Sequence, residues 1–307
     1  MRILSTLMGL WAAFNALPAM AQQAEHIGKP VDKATGFQTP VTELSRDIQS
    51  LDSMINVIIA VITVFVALLL LICILRFNRK SNPNPASFTH HTPIEIVWTI
   101  GPILVLIFIG AFSLPVLFKN QEIPESELYI KVTGHQWYWT YEYPEQELEF
   151  DSYMIGQPAT LDETARPADA EIVPYVMSEA METKLVENGY ESDEFLLATD
   201  TRVVVPVDTV VVMGVTADDV IHSWTIPAFG VKQDAVPGRL AQLWFKAEKE
   251  GVFFGQCSEL CGKDHTYMPI TVEVVSKEKF ADWVKVAQEE FAETGTVPTA
   301  FELAAAN

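Results

Sequence analysis

The sequence predicts two membrane-spanning helices followed by an outer domain built from β-strands. Uninterrupted apolar runs over residues 54–75 and 94–118 predict the helices, the first without a charged residue and the second with only Glu95. Each run exceeds the roughly 20 residues that a helix needs to cross the hydrocarbon core. The segments VVVPVDTVVVMGV (203–215), RLAQLWFKA, GVFFGQ and MPITVEVV read as short strands. Strands at this spacing are typical of a β-sandwich or barrel.

The start of the chain predicts a secretory signal. It reads MRILSTLMGLWAAFNALPAMAQQ, with one Arg, an apolar run and then Ala19-Met20-Ala21. We expect residues 1–21 to be removed as a signal peptide. The apolar run is too short to span a bilayer comfortably, which disfavours a membrane anchor. Residues 22–50 then form a polar lead-in.

The charges around the apolar runs predict the orientation of the hairpin, which occupies residues 51–119. The loop between the two runs carries Arg76, Arg79 and Lys80, and no acidic residue before Glu95. Because basic residues favour the cytoplasmic side, the hairpin is expected to turn in the cytoplasm. Both termini and the outer domain would then lie in the periplasm, anchored to the inner membrane of a bacterium.

The outer domain is strongly acidic. The chain has a formal net charge of −20 at pH 7, and most of its acidic residues follow residue 119. Such a field repels nucleic acid and anionic lipid, and it speeds encounter with a cationic partner. Simple solubility explains the charge equally well, so charge alone leaves both interpretations open.

The outer domain is expected over residues 120–290, with residues 291–307 as a C-terminal tail. Its segment from about 157 to 195 is acidic and contains SEAMETKLVENG, a short helical pattern ended by Gly189. We interpret this segment as an excursion from the β domain. The later stretch SKEKFADWVKVAQEEFAETG also has helical spacing.

Aromatic residues alternate in GHQWYWTYEYP, which begins at Gly134. In a strand, alternate residues share one face. The pattern therefore predicts one face that carries Trp137, Trp139, Tyr141 and Tyr143. For most of these residues we expect core packing or an aromatic belt near the membrane surface.

The stretch CSELCGKDHTYMP concentrates side chains that bind soft metals. Cys257 and Cys261 lie between two predicted strands, with His265 and Met268 close behind, and His222 ends an earlier strand in DDVIHSW. Thiolate, imidazole and thioether together favour copper. The second cysteine has a use if both sulfurs bridge two copper ions. A disulfide, which the oxidising compartment favours, and a zinc site stay open as alternatives.

The motif C-S-E-L-C-G-x-x-H-x-x-M-P, with the upstream H-S-W, resembles subunit II of the haem–copper cytochrome c oxidases. The likeness also includes the hairpin and GHQWYWTYEY, and it covers about residues 45–290. It implies two transmembrane helices and a cupredoxin-like Greek-key β-barrel that holds the binuclear copper centre CuA. It also implies that the chain takes electrons from reduced cytochrome c and passes them to haem in subunit I. There oxygen is reduced to water, coupled to proton pumping.

The resemblance also implies roles for individual residues. The copper ligands would be His222, Cys257, Cys261, His265, Met268 and the backbone carbonyl of Glu259. The Glu259 carboxylate would point toward a magnesium or manganese site shared with subunit I. Electrons would enter at Trp137. The carboxylates that dock basic cytochrome c would be Glu142, Asp151, Asp200 and Asp219.

Glu95 has two expected roles. Thr92-Pro93-Ile94-Glu95 matches a capping box with proline at the first helical position. The resemblance adds that Glu95 lies at the cytoplasmic entrance of a proton path in subunit I. Subunits I and III are the implied membrane partners. A quinol oxidase subunit II, or a membrane-tethered copper carrier, is the competing interpretation, and the two cysteines argue against the first.

Overall fold

The computed structural model describes residues 25–161 and 173–294. The predicted signal peptide lies outside the described residues. So do residues 162–172 of the excursion and residues 295–307 of the tail.

Two long helices form the membrane hairpin. Helix α1 spans Glu43–Arg76 and α2 spans Thr92–Gln121, and both are long and apolar enough to cross a membrane. Their apolar side chains are largely exposed, as expected for surfaces that face lipid or other membrane helices. Helix α1 begins at Glu43 rather than near residue 51, because the Thr42 hydroxyl caps it by accepting the N–H of Ser45 at 3.0 Å.

Helix α2 is capped one residue earlier than the sequence predicts. His91, not Thr92, is the N-cap, and its Nδ1 accepts the backbone N–H of Ile94 at 3.4 Å. The Glu95 carboxylate accepts the backbone N–H of His91 at 3.0 Å. The capping role of Glu95 is therefore present, with the box displaced by one residue.

The described residues contain eleven strands. They are β1 (His26–Ile27), β2 (Leu128–His135), β3 (Tyr138–Tyr143), β4 (Leu148–Ser152), β5 (Val203–Pro206), β6 (Val211–Ala217), β7 (His222–Ile226), β8 (Val231–Ala235), β9 (Ala241–Phe245), β10 (Gly251–Gln256) and β11 (Pro269–Val275). One sheet has the order β1-β10-β11-β5, the second has the order β4-β3-β2-β6-β9, and β7-β8 form a separate ribbon. The chain crosses between the sheets from β5 to β6 and from β9 to β10, as expected for a cupredoxin-like sandwich.

Side chains from both sheets share one apolar core. Trp139, Tyr141 and Tyr143 on β3 are fully buried, which confirms core packing for these three aromatic residues. The indole N–H of Trp224 on β7 donates to the Tyr141 hydroxyl at 3.2 Å, and the Tyr143 hydroxyl donates to the Val204 carbonyl at 3.0 Å. The polar tips of these large side chains thus keep hydrogen-bond partners inside the core.

Two further helices lie against the sandwich. Helix α3 (Glu179–Glu187) belongs to the excursion and is followed by Gly189, whose φ of 72° suits a helix end. It packs with Val252 and Phe254 in a second, smaller apolar cluster. Helix α4 (Lys277–Thr294) buries Trp283 against Tyr143, with ring centroids 5.5 Å apart. Helix α4 runs past residue 290, the predicted end of the outer domain, into the predicted tail.

The first turn of α1 is bound to the sandwich. The Thr42 hydroxyl donates to the Phe229 carbonyl at 2.6 Å, in the single 3₁₀ turn that follows β7. Arg46 pairs with both oxygens of Glu248, each at 2.7 Å. At Gly230, an added Cβ would lie 2.7 Å from the Ser45 Cα, so only glycine permits this approach. Strand β7 therefore connects His222, its first residue, directly to the turn that holds the end of the helix.

Candidate metal centre

One loop supplies most of the candidate ligands. It connects β10 to β11, and its ends are joined where the Cys257 N–H donates to the Met268 carbonyl at 3.3 Å. The Ser258 N–H donates to the Ser223 carbonyl at 3.0 Å, which ties the loop to β7. His222 is the first residue of β7. The prediction that it ends a strand was wrong, because the preceding residues form a loop.

The structure brings the predicted copper ligands together. The Cys257 Sγ lies 3.9 Å from the Cys261 Sγ and 3.8 Å from the Nδ1 of His222. The Cys261 Sγ lies 3.4 Å from the Nδ1 of His265 and 3.5 Å from the Sδ of Met268. Each thiol therefore has its own imidazole neighbour, and the two thiols occupy the middle of the group.

The two cysteines are free thiols, so the disulfide alternative is not realised in this structure. Their sulfurs are 3.9 Å apart, against about 2.05 Å in a disulfide. Two sulfurs that each lie about 2.3 Å from one metal ion can be at most about 4.6 Å apart, so the pair fits shared metal ligation. Burial, with the neighbouring Cys257, raises the pKa of Cys261 to about 12. A bound metal cation would offset this effect, because it stabilises the thiolate form.

The donor set suits copper better than zinc. His222, Cys257 and Cys261 offer ligand atoms within 4.8 Å of one another, and all three are buried. The thioether of Met268 is 1% exposed and faces Cys261. The carbonyl of Glu259 lies 3.4 Å from the Cys257 Sγ. Thioether and thiolate are soft ligands that select copper, and structural zinc sites use cysteine and histidine instead.

Asp219 orients the His222 ring. Its Oδ1 lies 2.8 Å from the His222 Nε2, so the proton on Nε2 leaves Nδ1 free toward Cys257. Burial opposes ionisation, but hydrogen bonds from His222 and two backbone N–H groups hold the pKa of Asp219 below its usual value. Burial lowers the pKa of His222, although Asp219 opposes that shift. A neutral, oriented imidazole is the form that binds a metal.

Gly134 makes room for the His222 ring. A Cβ on Gly134 would lie 3.0 Å from two His222 ring carbons and 3.0 Å from a Trp139 ring carbon. The rings of Trp139 and His222 meet edge to face, with centroids 5.9 Å apart. Glycine is therefore required where β2 passes behind this ligand.

Trp137 lies in the turn between β2 and β3, not on the strand face of the other three aromatic residues. That part of the prediction was wrong, because the strands pair only up to His135 and Tyr138. The Trp137 side chain is half-buried, and its indole N–H donates to the carbonyl of Cys261 at 3.2 Å. The Gln136 amide donates to the same carbonyl at 2.7 Å. Trp137 is thus in direct contact with a candidate copper ligand.

Gly262 permits the close approach of Trp137. Its φ is 125°, and an added Cβ would lie 3.1 Å from both the Gln136 amide nitrogen and a Trp137 ring carbon. The ammonium of Lys263 lies 5.4 Å from the Trp137 ring centroid, within the range of a cation–π contact. The loop between β10 and β11 (residues 257–268), called the copper loop below, therefore forms one packed unit with the β2–β3 turn.

Comparison with known proteins agrees with this geometry. The family model for the transmembrane domain of cytochrome c oxidase subunit II matches residues 30–116, and that for its periplasmic domain matches residues 128–175 and 171–275. Cytochrome c oxidase subunit 2 of Cereibacter sphaeroides is 58% identical over 280 residues, which cover 91% of this chain and 88% of that protein. The chain belongs to the cytochrome c oxidase subunit II family.

Other members of the family are also similar. A probable cytochrome c oxidase subunit 2 of Rickettsia bellii is 40% identical over 257 residues, covering 83% of this chain and 85% of that protein. The crystal structure of the periplasmic domain of subunit II from Bradyrhizobium japonicum is 43% identical, with a TM-score of 0.42. The alignment with that structure covers 55% of this chain and 99% of the crystallised domain.

Membership in the subunit II family gives the chain a place in a haem–copper oxidase. It is a membrane-anchored subunit of an oxidoreductase complex, and its outer domain matches the periplasmic, copper-binding domain of subunit II. The matches span both the hairpin and the outer domain, which disfavours a stand-alone copper carrier. The buried pair Cys257 and Cys261 disfavours a quinol oxidase subunit.

The residues predicted to dock cytochrome c occupy different environments. Asp151 is exposed on β4 and accepts a hydrogen bond from the Thr140 hydroxyl at 2.6 Å. Glu142 is half-buried and pairs with Lys131 at 2.5 Å. Asp200 is half-buried and accepts the Tyr153 N–H at 2.8 Å, and burial raises its pKa to about 6. Asp219 is also exposed, but its carboxylate already binds the His222 ring and the backbone N–H groups of Val220 and Gln136. Asp151 is therefore the most available of the four for a partner.

Two other predicted side chains lie outside the ligand group. The Glu259 side chain is exposed on the copper loop, while its carbonyl faces Cys257. Glu95 caps α2 at the opposite end of the hairpin from the sandwich.

The sequence analysis missed several supporting residues. Asp219 was considered only as a docking residue, although an acid three positions before a candidate ligand could have suggested ring orientation. Gly134 and Gly262 adjoin the recognised motifs, but their roles depend on contacts across the fold. Gln136 also lies inside the aromatic motif. Its hydrogen bond to Cys261, 125 residues away in the chain, has no signal in the sequence.

Proposed function

We propose that this chain carries a binuclear CuA centre held by His222, Cys257, Cys261, His265, Met268 and the Glu259 carbonyl. The observation that carries the proposal is the pair of buried free thiols, 3.9 Å apart, with one imidazole beside each. When bound, the copper pair supplies a one-electron redox centre between cytochrome c and the haem of subunit I. The protein contributes buried soft donors that are already close together.

The spectrum of the copper-loaded protein tests this ligand set. We expect a mixed-valence binuclear signal by electron paramagnetic resonance and the matching optical bands. Cys257→Ser should abolish that signal, because only one thiol then remains to join two ions. A single-copper spectrum of the unmodified protein would overturn the proposal.

Trp137 is the proposed site of electron entry. Its indole is partly exposed to solvent. The indole N–H also donates to the carbonyl of Cys261, so Trp137 connects the protein surface at the β2–β3 turn directly to the loop that carries the ligands. Trp137→Phe should slow electron transfer from bound cytochrome c with little change in its dissociation constant. Weaker binding with an unchanged transfer rate would contradict this role.

Basic cytochrome c is the proposed electron donor, and it is steered by an acidic face that comprises Glu142, Asp151, Asp200 and Asp219. Asp151 is the leading contact because it is exposed, with Glu142, Asp200 and Asp219 adding to the field. The association rate should fall steeply as ionic strength rises, because salt screens exposed charges. A rate that is flat between low and physiological salt would exclude steering.

A magnesium or manganese ion shared with subunit I is proposed at the Glu259 carboxylate. Two facts support this: the carboxylate is exposed, and the carbonyl of the same residue reaches the thiol pair. In the assembled oxidase, Glu259→Gln should weaken the manganese signal and leave the copper spectrum in place. Manganese retained at full occupancy would rule out Glu259 as a ligand.

The membrane placement and the role of Glu95 complete the proposal. We infer that both termini lie in the periplasm, that the hairpin packs with subunits I and III in the inner membrane, and that Glu95 feeds protons to subunit I from the cytoplasm. Glu95→Ala should slow steady-state turnover without changing copper reduction. Normal turnover with normal proton pumping would remove this role.

A further inference from the structure

Two residues of the excursion over residues 157–195 contact the β2–β3 turn and the copper loop, which surround the candidate metal centre. The Gln157 side chain is 7% exposed, and its amide N–H donates to the backbone carbonyl of Trp137 at 3.0 Å. The Tyr175 ring stacks on Tyr267 of the copper loop, with centroids 4.1 Å apart. The Tyr175 hydroxyl also donates to Asp264 on that loop at 3.5 Å.

These contacts form a continuous path to a copper ligand. Gln157 holds the Trp137 backbone, and Trp137 donates to the carbonyl of Cys261. The backbone of Gln157 is itself fixed, because its N–H donates to the Met154 carbonyl at 3.0 Å and its carbonyl accepts the Thr160 N–H at 2.9 Å. The first residue of the excursion is therefore rigid where it meets the proposed electron-entry residue.

Tyr175 connects the copper loop to the start of the excursion. Its N–H donates to the Gly156 carbonyl at 3.0 Å, next to Gln157 in the chain. Its φ of 63° is unusual for a residue other than glycine or asparagine, so this conformation costs free energy that the surrounding contacts must offset. Gly156 thus links the two contact points across the start of the excursion.

We propose that Gln157 and Tyr175 are positioning residues for electron entry. They hold the β2–β3 turn and the copper loop in one relative arrangement, so that the Trp137 indole stays bonded to Cys261. This inference rests on the proposed entry role of Trp137 and assigns a purpose to the excursion. Neither residue needs to touch the copper or cytochrome c.

Gln157→Met in the assembled oxidase tests the first contact. Methionine keeps the side-chain length, and it removes both the donor to Trp137 and an Oε1 that is buried without a hydrogen-bond partner in the described chain. The substitution also leaves the Trp137 carbonyl without this donor, so the folding of the variant is checked by thermal denaturation alongside the rate. One hydrogen bond contributes about 0.5–1.5 kcal/mol, so we expect transfer from bound cytochrome c to slow roughly two- to tenfold. The dissociation constant and the copper spectrum should not change.

Gln38→Met is the matched control. The Gln38 amide N–H also donates to a backbone carbonyl, that of Gly28 at 2.7 Å, and its Oε1 is also buried without a hydrogen-bond partner. It lies in the N-terminal lead-in, away from the copper loop. An equal slowing in both variants would show a general effect of losing a buried amide and would overturn the inference.

A cycle with Trp137→Phe separates this inference from the proposed function. Because Gln157 acts through Trp137, adding Gln157→Met to Trp137→Phe should cause no further slowing. If Trp137→Phe alone leaves the rate unchanged, the entry role itself fails. If Trp137→Phe slows transfer but Gln157→Met does not, only the positioning role fails. Equal slowing by Gln157→Met in both backgrounds also overturns it.

Two substitutions test Tyr175. Tyr175→Phe keeps the stacking on Tyr267 and loses the hydrogen bond to Asp264, while Tyr175→Leu loses both. We expect the leucine variant to slow transfer severalfold and the phenylalanine variant to keep most of the rate, with the copper spectrum intact in each. Wild-type rates in both variants would remove Tyr175 from the positioning set.

Discussion

Asp219 lets the binding of copper be separated from the docking of cytochrome c. Asp219→Ala removes the acceptor that lies 2.8 Å from the His222 Nε2, and it removes one negative charge from the acidic face. Loss of such a partner typically weakens metal affinity about 10- to 100-fold. That range corresponds to about 1.4–2.8 kcal/mol.

The surroundings of His222 place the expected loss in the upper part of this range. The His222 ring is fully buried, so an Nε2–H without an acceptor costs about 1–3 kcal/mol. A ring that rotates to recover a partner would turn its Nδ1 away from the Cys257 Sγ, now 3.8 Å distant. The carboxylate also accepts the N–H of Val220 at 2.6 Å and that of Gln136 at 2.7 Å, so its loss loosens two neighbouring loops.

Asp218→Ala is the control, because it removes the same charge from the adjacent position. The Asp218 side chain is 78% exposed, and its contact with His135 is a distant 3.9 Å. Copper affinity is measured by competition with a chelator, and the encounter rate by stopped flow with cytochrome c. We expect both variants to slow encounter alike and only Asp219→Ala to lose copper affinity. Equal copper affinity in the two variants would refute the orienting role.

Three further predictions concern packing and buried charge. Gly134→Ala places a Cβ 3.0 Å from His222, so both copper affinity and stability should fall, the latter by about 1–3 kcal/mol in urea denaturation. Burial raises the pKa of Asp200 to about 6, above its unfolded value. The contribution of Asp200 to the free energy of unfolding therefore falls as pH rises from about 4 through 6. Asp200→Asn should therefore gain stability over that window, by less than about 3 kcal/mol because Asp200 is only half-buried. Arg202→Met leaves Glu273 buried without its 3.2 Å ion pair and should cost about 3–5 kcal/mol in thermal denaturation. Adding Glu273→Leu should recover only part of this loss, because Arg202 also donates to the Tyr190 hydroxyl and the Asn188 carbonyl.

The ligand group was predictable because most of it is local in the sequence. Four of the side chains fall between Cys257 and Met268, and only His222 comes from another strand. Residue types at this spacing restrict the chemistry to soft metals before any fold is known. The apolar helices were predictable for a similar reason, since length and composition alone meet the requirement for spanning a membrane.

Trp137 shows where periodicity fails. Alternation correctly places Trp139, Tyr141 and Tyr143 on the buried face of β3, but the same rule extended two residues back reaches the turn. The change occurs because pairing with β2 ends at Tyr138. Only the register of the two strands shows that Trp137 leaves the sheet and meets Cys261.

The environments of the acidic residues could not be predicted either. Asp151 and Asp200 look alike in the sequence, yet one is exposed on a strand and the other accepts a backbone N–H of Tyr153. Whether a carboxylate faces a partner or satisfies the backbone depends on tertiary packing. The solvent exposure of each carboxylate therefore has to be read from the structure before docking roles can be assigned.

The copper loop is held mainly through its backbone. The Cys261 carbonyl accepts the Gln136 amide and the Trp137 indole, and the Met268 carbonyl accepts the Trp139 indole at 3.4 Å and the Cys257 N–H. Because these donors bind carbonyls, the sulfur atoms are left to a metal. Hydrogen bonds to the backbone restrict the movement of this loop, so its geometry should change little when the centre is reduced or oxidised. Fast transfer would then depend on the aromatic turn and the excursion that hold the frame, as well as on the ligands themselves.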